Sequence, residues 1–236
     1  MPAFTWLGHG TYQIQLDSGE VIVVDPWLEG NPKYPAHHKF ERVDVILLTH
    51  GHFDHISHVV ELAKKFSPTV VAIYETAMWL GANGVPGDRI LGMNKGGTAQ
   101  AGPVEVTMTH AIHSAGIQLP DGTFAYGGEP AGYVLWLPGG GRRMYLAGDT
   151  TVFGDMALIE QLYHPEIAVL PIGDLYTMGP REAALACRML KAKKIIPVHW
   201  GTFPALTGSP QKLADLIHDL HGTEVLRLEP GVPVQV

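Results

Sequence analysis

The chain has 236 residues, 46% apolar and 17% charged, which excludes a disordered protein and supplies enough apolar material for a full core without disulfides. A formal net charge of −7 disfavours a nonspecific grip on nucleic-acid backbones and favours a small-molecule substrate. The lone cysteine, Cys187, rules out a disulfide within the chain. With no visible signal peptide and no apolar run of bilayer length, a cytoplasmic protein that does not engage the membrane is expected.

Taken in order, the first 25 residues read as strands joined by turns. Tyr12 to Leu16 alternates, Asp17-Ser18-Gly19 turns, and Val21 to Val24 is a β-branched run ended by Asp25-Pro26. Residues 29 to 39 read as loop, with Gly30, Pro32 and Pro35. Val43 to Leu48 is a buried strand running into Thr49-His50-Gly51-His52-Phe53-Asp54-His55, and a helical period follows from Val59 to Phe66. Val104 to His110 and Tyr133 to Leu146 are strand-rich, the latter turning at Gly139-Gly140-Gly141. Ile167 to Pro171 is a strand, then a polar loop, then a helix over Pro180 to Leu190 with proline in its first turn. Lys194 to Pro197 is the last such strand, followed by His199-Trp200-Gly201-Thr202 and a helix around Pro210 to Leu220. The basic group Arg188, Lys191, Lys193 and Lys194 reads as a solvated helix end, and Cys187 as a buried helix residue. Both halves carry a strand meander followed by strand–loop–helix units. Two packed sheets with helices outside are therefore expected, in one domain spanning 1–236 with no internal linker.

The chemistry concentrates in His50-x-His52-x-Asp54-His55, directly after a buried strand. In extended backbone, residues 50, 52 and 54 point the same way, so two imidazoles share one metal while Asp54 and His55 reach a second. A solvated loop rarely spends three histidines in six residues. Three further candidates each follow a strand: His113, Asp149 in Ala147-Gly148-Asp149-Thr150, and His199. Singly, each has a bland counterpart as a turn or capping residue.

Together, THGHFDH (49–55), AIHS (111–114), AGDT (147–150) and PVHW (197–200) resemble the metallo-β-lactamase superfamily in order and spacing. GNP (30–32), GGEPAGY (127–133), PIGD (171–174) and YTMGP (176–180) resemble its branch of metal-dependent hydrolases related to ascorbate-6-phosphate lactonase. The resemblance implies a four-layer αββα sandwich in the α/β class, with the site at one edge of the sheets. It implies one metal on His50, His52 and His113, another on Asp54, His55 and His199, and Asp149 as the bridge. Asp54 and His199 are the candidate catalytic residues, and a homo-oligomer is expected.

Five imidazoles and two carboxylates without a thiolate suit two divalent ions, zinc first, with manganese, iron, nickel or cobalt as alternatives. Two cations ~3.5–4 Å apart generate hydroxide at neutral pH by lowering the pKa of bound water toward ~7. That hydroxide is expected to cleave an ester or lactone of a small polar metabolite, the substrate class taken from the resemblance. Phosphodiester cleavage by a nuclease-type enzyme, di-iron redox chemistry and a non-catalytic metal-binding protein are the alternatives. Ser114 lacks triad partners, and His110 lies off the motif position. Candidate substrate-binding residues are His9, Asp174, Tyr176, Thr177 and Tyr133, with Glu129 beside the last. Asp25 is weighed as an orienting partner for a histidine ligand or a turn residue. His37 and His38, adjacent in a loop, point apart and do not share a metal. Trp27 and Phe40 read as surface packing, or else as a lid over an apolar substrate.

Overall fold

The computed structural model describes residues 1–139 and 141–236. Six strands fill the first half: β1 (Ala3–Trp6), β2 (Tyr12–Gln15), β3 (Val21–Val24), β4 (Val45–Leu47), β5 (Thr69–Ile73) and β6 (Ile90–Met93). The helices among them are α1 (Phe53–Ile56), α2 (Val59–Phe66) and α3 (Tyr74–Ala82). The second half opens with β7 (Thr98–Ala101), β8 (Val104–His110), a short ribbon of β9 (Ile117–Gln118) and β10 (Phe124–Ala125), then β11 (Ala131–Trp136) and β12 (Arg143–Leu146). It continues through α4 (Met156–Tyr163), β13 (Ile167–Pro171), α5 (Pro180–Leu190), β14 (Lys194–Val198), α6 (Pro210–Leu216), β15 (Glu224–Val225) and β16 (Pro233–Gln235).

Two mixed sheets result, ordered β16-β1-β2-β3-β4-β5-β6 and β15-β14-β13-β12-β11-β8-β7. Strands β3 to β6 pair in parallel, as do β12 to β15, while the meanders pair antiparallel. The period of two along each central strand sorts its side chains between two cores. In β3, Ile22 and Val24 face the inter-sheet core, while Val21 and Val23 pack under the helices of the first half. In β4, Val45 and Leu47 face inward and Ile46 outward. Both faces of these strands are dry, which is why they read as unbroken apolar runs rather than alternating ones. A third cluster joins β13 and β14 to α4, α5 and α6 through Leu170, Ala183, Cys187, Ile195 and Leu213. The order is therefore helices, sheet, sheet, helices: the four-layer αββα sandwich.

Local signals agree with the boundaries. Pro180 opens α5 directly after Gly179, and Ser209 caps α6 by accepting from the Lys212 N–H at 3.3 Å. In the β11–β12 hairpin, Leu137 N–H donates to the Arg142 carbonyl at 2.9 Å, while Gly140 of the expected glycine turn lies outside the described residues. Three helices are absent from the sequence reading: α1, whose turn falls inside the histidine motif, and the longer α3 and α4. In α3, YETAMWLGA, apolar residues run consecutively with Leu80 buried and Met78 exposed, so no stripe marks a face. In α4, Leu158 and Leu162 lie on the solvent side for the same effect. The last helix stops at Leu216, and residues 217–220 continue only as turns.

Since the two faces of β4 are equally dry, Ile46→Ala and Leu47→Ala are each expected to cost about 2–5 kcal/mol in urea unfolding. A loss under ~1 kcal/mol at Ile46 would contradict burial of the outer face.

Candidate metal centre

Six strands, β1, β3, β4, β8, β12 and β14, direct their C-terminal ends to one edge of the sandwich, as their pairing requires. His9, Asp25, His50, His113, Asp149 and His199 follow those ends. Three of them take the left-handed backbone region that side chains avoid: His9 (φ +54°), Asp25 (φ +47°) and His199 (φ +55°). Such residues cost about 1–3 kcal/mol each and persist only where the surroundings impose them. The carbonyl of His9 accepts from the Trp6 indole at 2.8 Å and from the His199 N–H at 2.9 Å, which ties the first and last of these loops together. Gly148, before Asp149, has φ +62°, and a Cβ there would sit 2.8 Å from the Cβ of Thr49.

Asp25 organises the histidines behind the site. It is buried, and its carboxylate accepts from the Thr49 N–H (2.8 Å), the Thr49 hydroxyl (2.7 Å) and His55 Nδ1 (2.8 Å). A carboxylate only accepts, so His55 carries its proton on Nδ1. The Thr49 hydroxyl has spent its one proton on Asp25, so it accepts from His50 Nδ1 at 2.9 Å. Both rings therefore turn a bare Nε2 inward.

Two groups of donor atoms form in front of this layer. The nitrogens of His50, His52 and His113 lie within 4.8 Å of one another, as do donor atoms of His9, Asp54, His55 and His199. Asp149 touches both: its Oδ2 is 3.3 Å from His55 Nε2, 3.1 Å from His199 Nε2 and 3.7 Å from His113 Nε2. The backbone is extended only as far as His52. From Phe53 it turns into α1, so Asp54 does not share a side with His50 and His52 as an extended loop would have it. The helical turn swings Asp54 toward His9, His55 and His199 instead.

The electrostatics fit a cation between these groups. Burial opposes charge on His55, yet Asp149, Asp54 and Asp25 raise its pKa well above the ordinary value. His199, also against its burial, is raised to about 9 by Asp149 and Asp54. Asp149 and Asp54 are in turn held ionised despite burial, below the usual carboxylate range, by the surrounding histidines. His55 Nε2 is buried, and its contact with Asp149 Oδ2 at 3.3 Å lacks hydrogen-bond geometry. Neutral imidazole and carboxylate are the natural donors for a divalent ion, and a cation held here would replace the protons that these imidazoles otherwise take up.

His9 stands behind Asp54. Burial, with the charge of His199, lowers its pKa to about 4, so the ring is neutral. Nε2–H donates to Asp54 Oδ2 at 2.8 Å, and Nδ1 accepts from the Thr202 hydroxyl at 3.0 Å. Thr202 had drawn no notice in the sequence, because nothing local marks it.

A cavity of about 540 Å³ opens over the site, reaching His52, Asp54, His113, Asp149 and His199. His9 and Tyr176 line it. Tyr133 does not, and its assignment to substrate is corrected: the ring is fully buried between the sheets and its hydroxyl donates to the Leu48 carbonyl at 2.7 Å. Asp174 and Thr177 are corrected too. Asp174 is exposed and takes up the Leu175 N–H at 2.8 Å, holding its own turn, while Thr177 lies beside that turn and off the cavity wall. Glu129 pairs with Lys95 at 2.7 Å, and His110 ends β8 next to the same lysine. Trp27 is buried, so it is neither surface packing nor a lid, and it packs edge-on to Phe53 at 5.7 Å. The aromatic lining residues Phe53, Phe124 and Phe203 were missed. Only Phe53, set inside the histidine motif, offered a local signal.

The sequence matches the model of the beta-lactamase superfamily domain over residues 20–200. A metal-dependent hydrolase of the UPF0173 group from Solibacter usitatus is 62% identical over 231 residues, with 98% of each chain covered. Another from Koribacter versatilis is 50% identical over 230 residues, covering 96% of this chain and 95% of its own. Among solved structures, Igni18, a metallo hydrolase from Ignicoccus hospitalis, superposes with a TM-score of 0.84 at 30% identity, covering 99% of this chain and 97% of the other.

Asp25→Asn keeps an acceptor for Thr49 but releases the charge that orients His55. It is expected to weaken metal retention about 10–100-fold, read by competition against a chromogenic chelator. Unchanged retention would remove Asp25 from this role.

Proposed function

The chain belongs to the metallo-β-lactamase superfamily and is one of its metal-dependent hydrolases, and from that premise we propose a binuclear site that hydrolyses an ester or lactone. The observation that carries this reading is Asp149, whose Oδ2 contacts histidines of both donor groups. His50, His52 and His113 would hold one ion and Asp54, His55 and His199 the other, with Asp149 shared between them. When bound, such ions supply an activated water and polarise the scissile carbonyl.

The protein groups divide the remaining work. His9 secures one oxygen of Asp54 and leaves the other to orient the attacking water. His50 and His55 lie buried behind the cavity and Asp149 is buried at its floor, where a fixed field is least screened. Water oxygen bonds to the acyl carbon and gives up a proton to solvent, the acyl C–O bond breaks, and the leaving oxygen takes up a proton, leaving a carboxylate and an alcohol. Of the loop residues 174–177, Tyr176 alone lines the cavity, so its phenol is the group positioned to donate that proton. Ser114 lines the cavity as well, its hydroxyl 3.3 Å from His52 Nε2, but His52 is assigned to an ion and no carboxylate orients it, so a triad is not formed.

Elemental analysis of chelator-free protein is expected to give about two divalent ions per chain. Asp149→Ala should lower that ratio and cut hydrolysis of p-nitrophenyl esters by at least ~10²-fold. Near-zero metal after incubation with zinc and manganese would defeat the reading. Tyr176→Phe should retain the wild-type metal content and reduce turnover of alkyl lactones, whose alkoxide needs a proton, about 10²-fold. It should spare p-nitrophenyl esters, whose leaving group does not.

A further inference from the structure

The wall of the cavity beyond the metal ligands is built from aromatic rings. Phe53 comes from α1, Phe124 from β10 and Phe203 from the loop after β14, so three separate parts of the fold contribute. Two of the rings are conspicuously bare: Phe53 is 52% exposed and Phe124 is 66% exposed. Exposing a large ring in a concave site is costly unless something covers it. Phe203 is backed by Trp27, ring centroids 6.0 Å apart, and by His9 at 5.7 Å, so the inner wall is firm. Phe124 lies over Gly116, where a Cβ would meet its ring at 3.0 Å, so the ring is seated against the start of its own ribbon.

The polar inventory is equally informative. Among the described residues, no lysine or arginine lines the cavity, and the polar side chains outside the histidine–carboxylate cluster and Tyr176 are Ser114 and Gln118. A remote phosphate or carboxylate on the substrate would lose its hydration against this wall and gain no cation in exchange. An apolar substituent would gain from every carbon it buries there.

Building on the ester or lactone reading, we propose that the substrate is uncharged and carries an apolar acyl or aryl group, which the Phe53–Phe124–Phe203 wall receives. This departs from the small polar metabolite that the lactonase resemblance implied. The cavity's ~540 Å³ falls in the range of small-molecule sites, so the whole substrate is of that size.

Two readouts test the proposal on metal-loaded protein. The first is binding of 2-octanone, neutral and not hydrolysable, followed by tryptophan fluorescence beside glucose 6-phosphate. The second is kcat/KM for p-nitrophenyl acetate, butyrate and octanoate. Expected is measurable 2-octanone binding that weakens at least ~5-fold in Phe124→Ala and Phe203→Ala, and kcat/KM rising about threefold per added methylene until the wall is filled. Tight glucose 6-phosphate binding with no 2-octanone binding, or a flat ester series together with unaffected variants, would overturn it. If no ester or lactone is cleaved while 2-octanone binds and the variants lose it, the apolar wall stands and the ester reading fails. Phe124 is exposed, so its variant is expected to fold as the wild type does, checked by an unchanged melting temperature.

Discussion

Two buried carboxylates set the polarity of the whole site, one behind the imidazoles and one in front. Asp25 draws the protons of the histidine layer backward. His55 gives it Nδ1–H directly, and His50 does so through Thr49. Asp149 then faces the His55 nitrogen that this leaves bare, while that of His50 meets His52 Nδ1. A dry pocket holding ionised carboxylates against neutral imidazoles is unstable alone, because each buried charge needs a counter-charge. The pocket resolves this with extra protons on His55 and His199 or with divalent cations, for which imidazole and carboxylate are the natural donors.

That arrangement needs rigid placement, and the sandwich supplies it. Parallel strands in both sheets end at one edge, so residues distant in the chain converge without long loops. His9, Asp25 and His199 leave their strands through left-handed backbone, which reverses the chain sharply and points each side chain back over the strand end. The strain is tolerable because the strands beneath are dry on both faces and cannot shift to relieve it. The hydrogen bond from His199 N–H to the His9 carbonyl spans the two halves, so neither half assembles the site alone.

The cavity separates two tasks by chemistry. Its floor is charged and polar, made of His52, Asp54, His113, Asp149 and His199. Its wall is aromatic, and no basic side chain among the described residues lines it. On the proposed reading, reactivity belongs to the floor and selectivity to the wall, whose residues come from α1, the β9–β10 ribbon and the loops after β13 and β14.

How much was legible follows from the range of each interaction. The strands could be read because their period and apolar runs are local, and His50, His52, Asp54 and His55 could be read because they crowd into six residues. His113, Asp149 and His199 became readable only through their family pattern, since a single post-strand histidine or Gly-Asp-Thr has ordinary meanings. Tyr133 misled because an aromatic beside a glycine-rich turn looks like a pocket residue, and only sheet-on-sheet packing buries it under Leu48. The turn into α1 sent Asp54 to the other donor group, which an alternation argument could not foresee. By itself, then, the sequence determined the layers, the strand ends and the inventory of metal donors, because hydrophobic period and residue type are carried along the chain. The tertiary structure alone decided which donors meet, which tautomers they hold through Asp25 and Thr49, and that Phe53, Phe124 and Phe203 form one wall. Those depend on contacts between residues tens of positions apart, whose proximity no local pattern encodes.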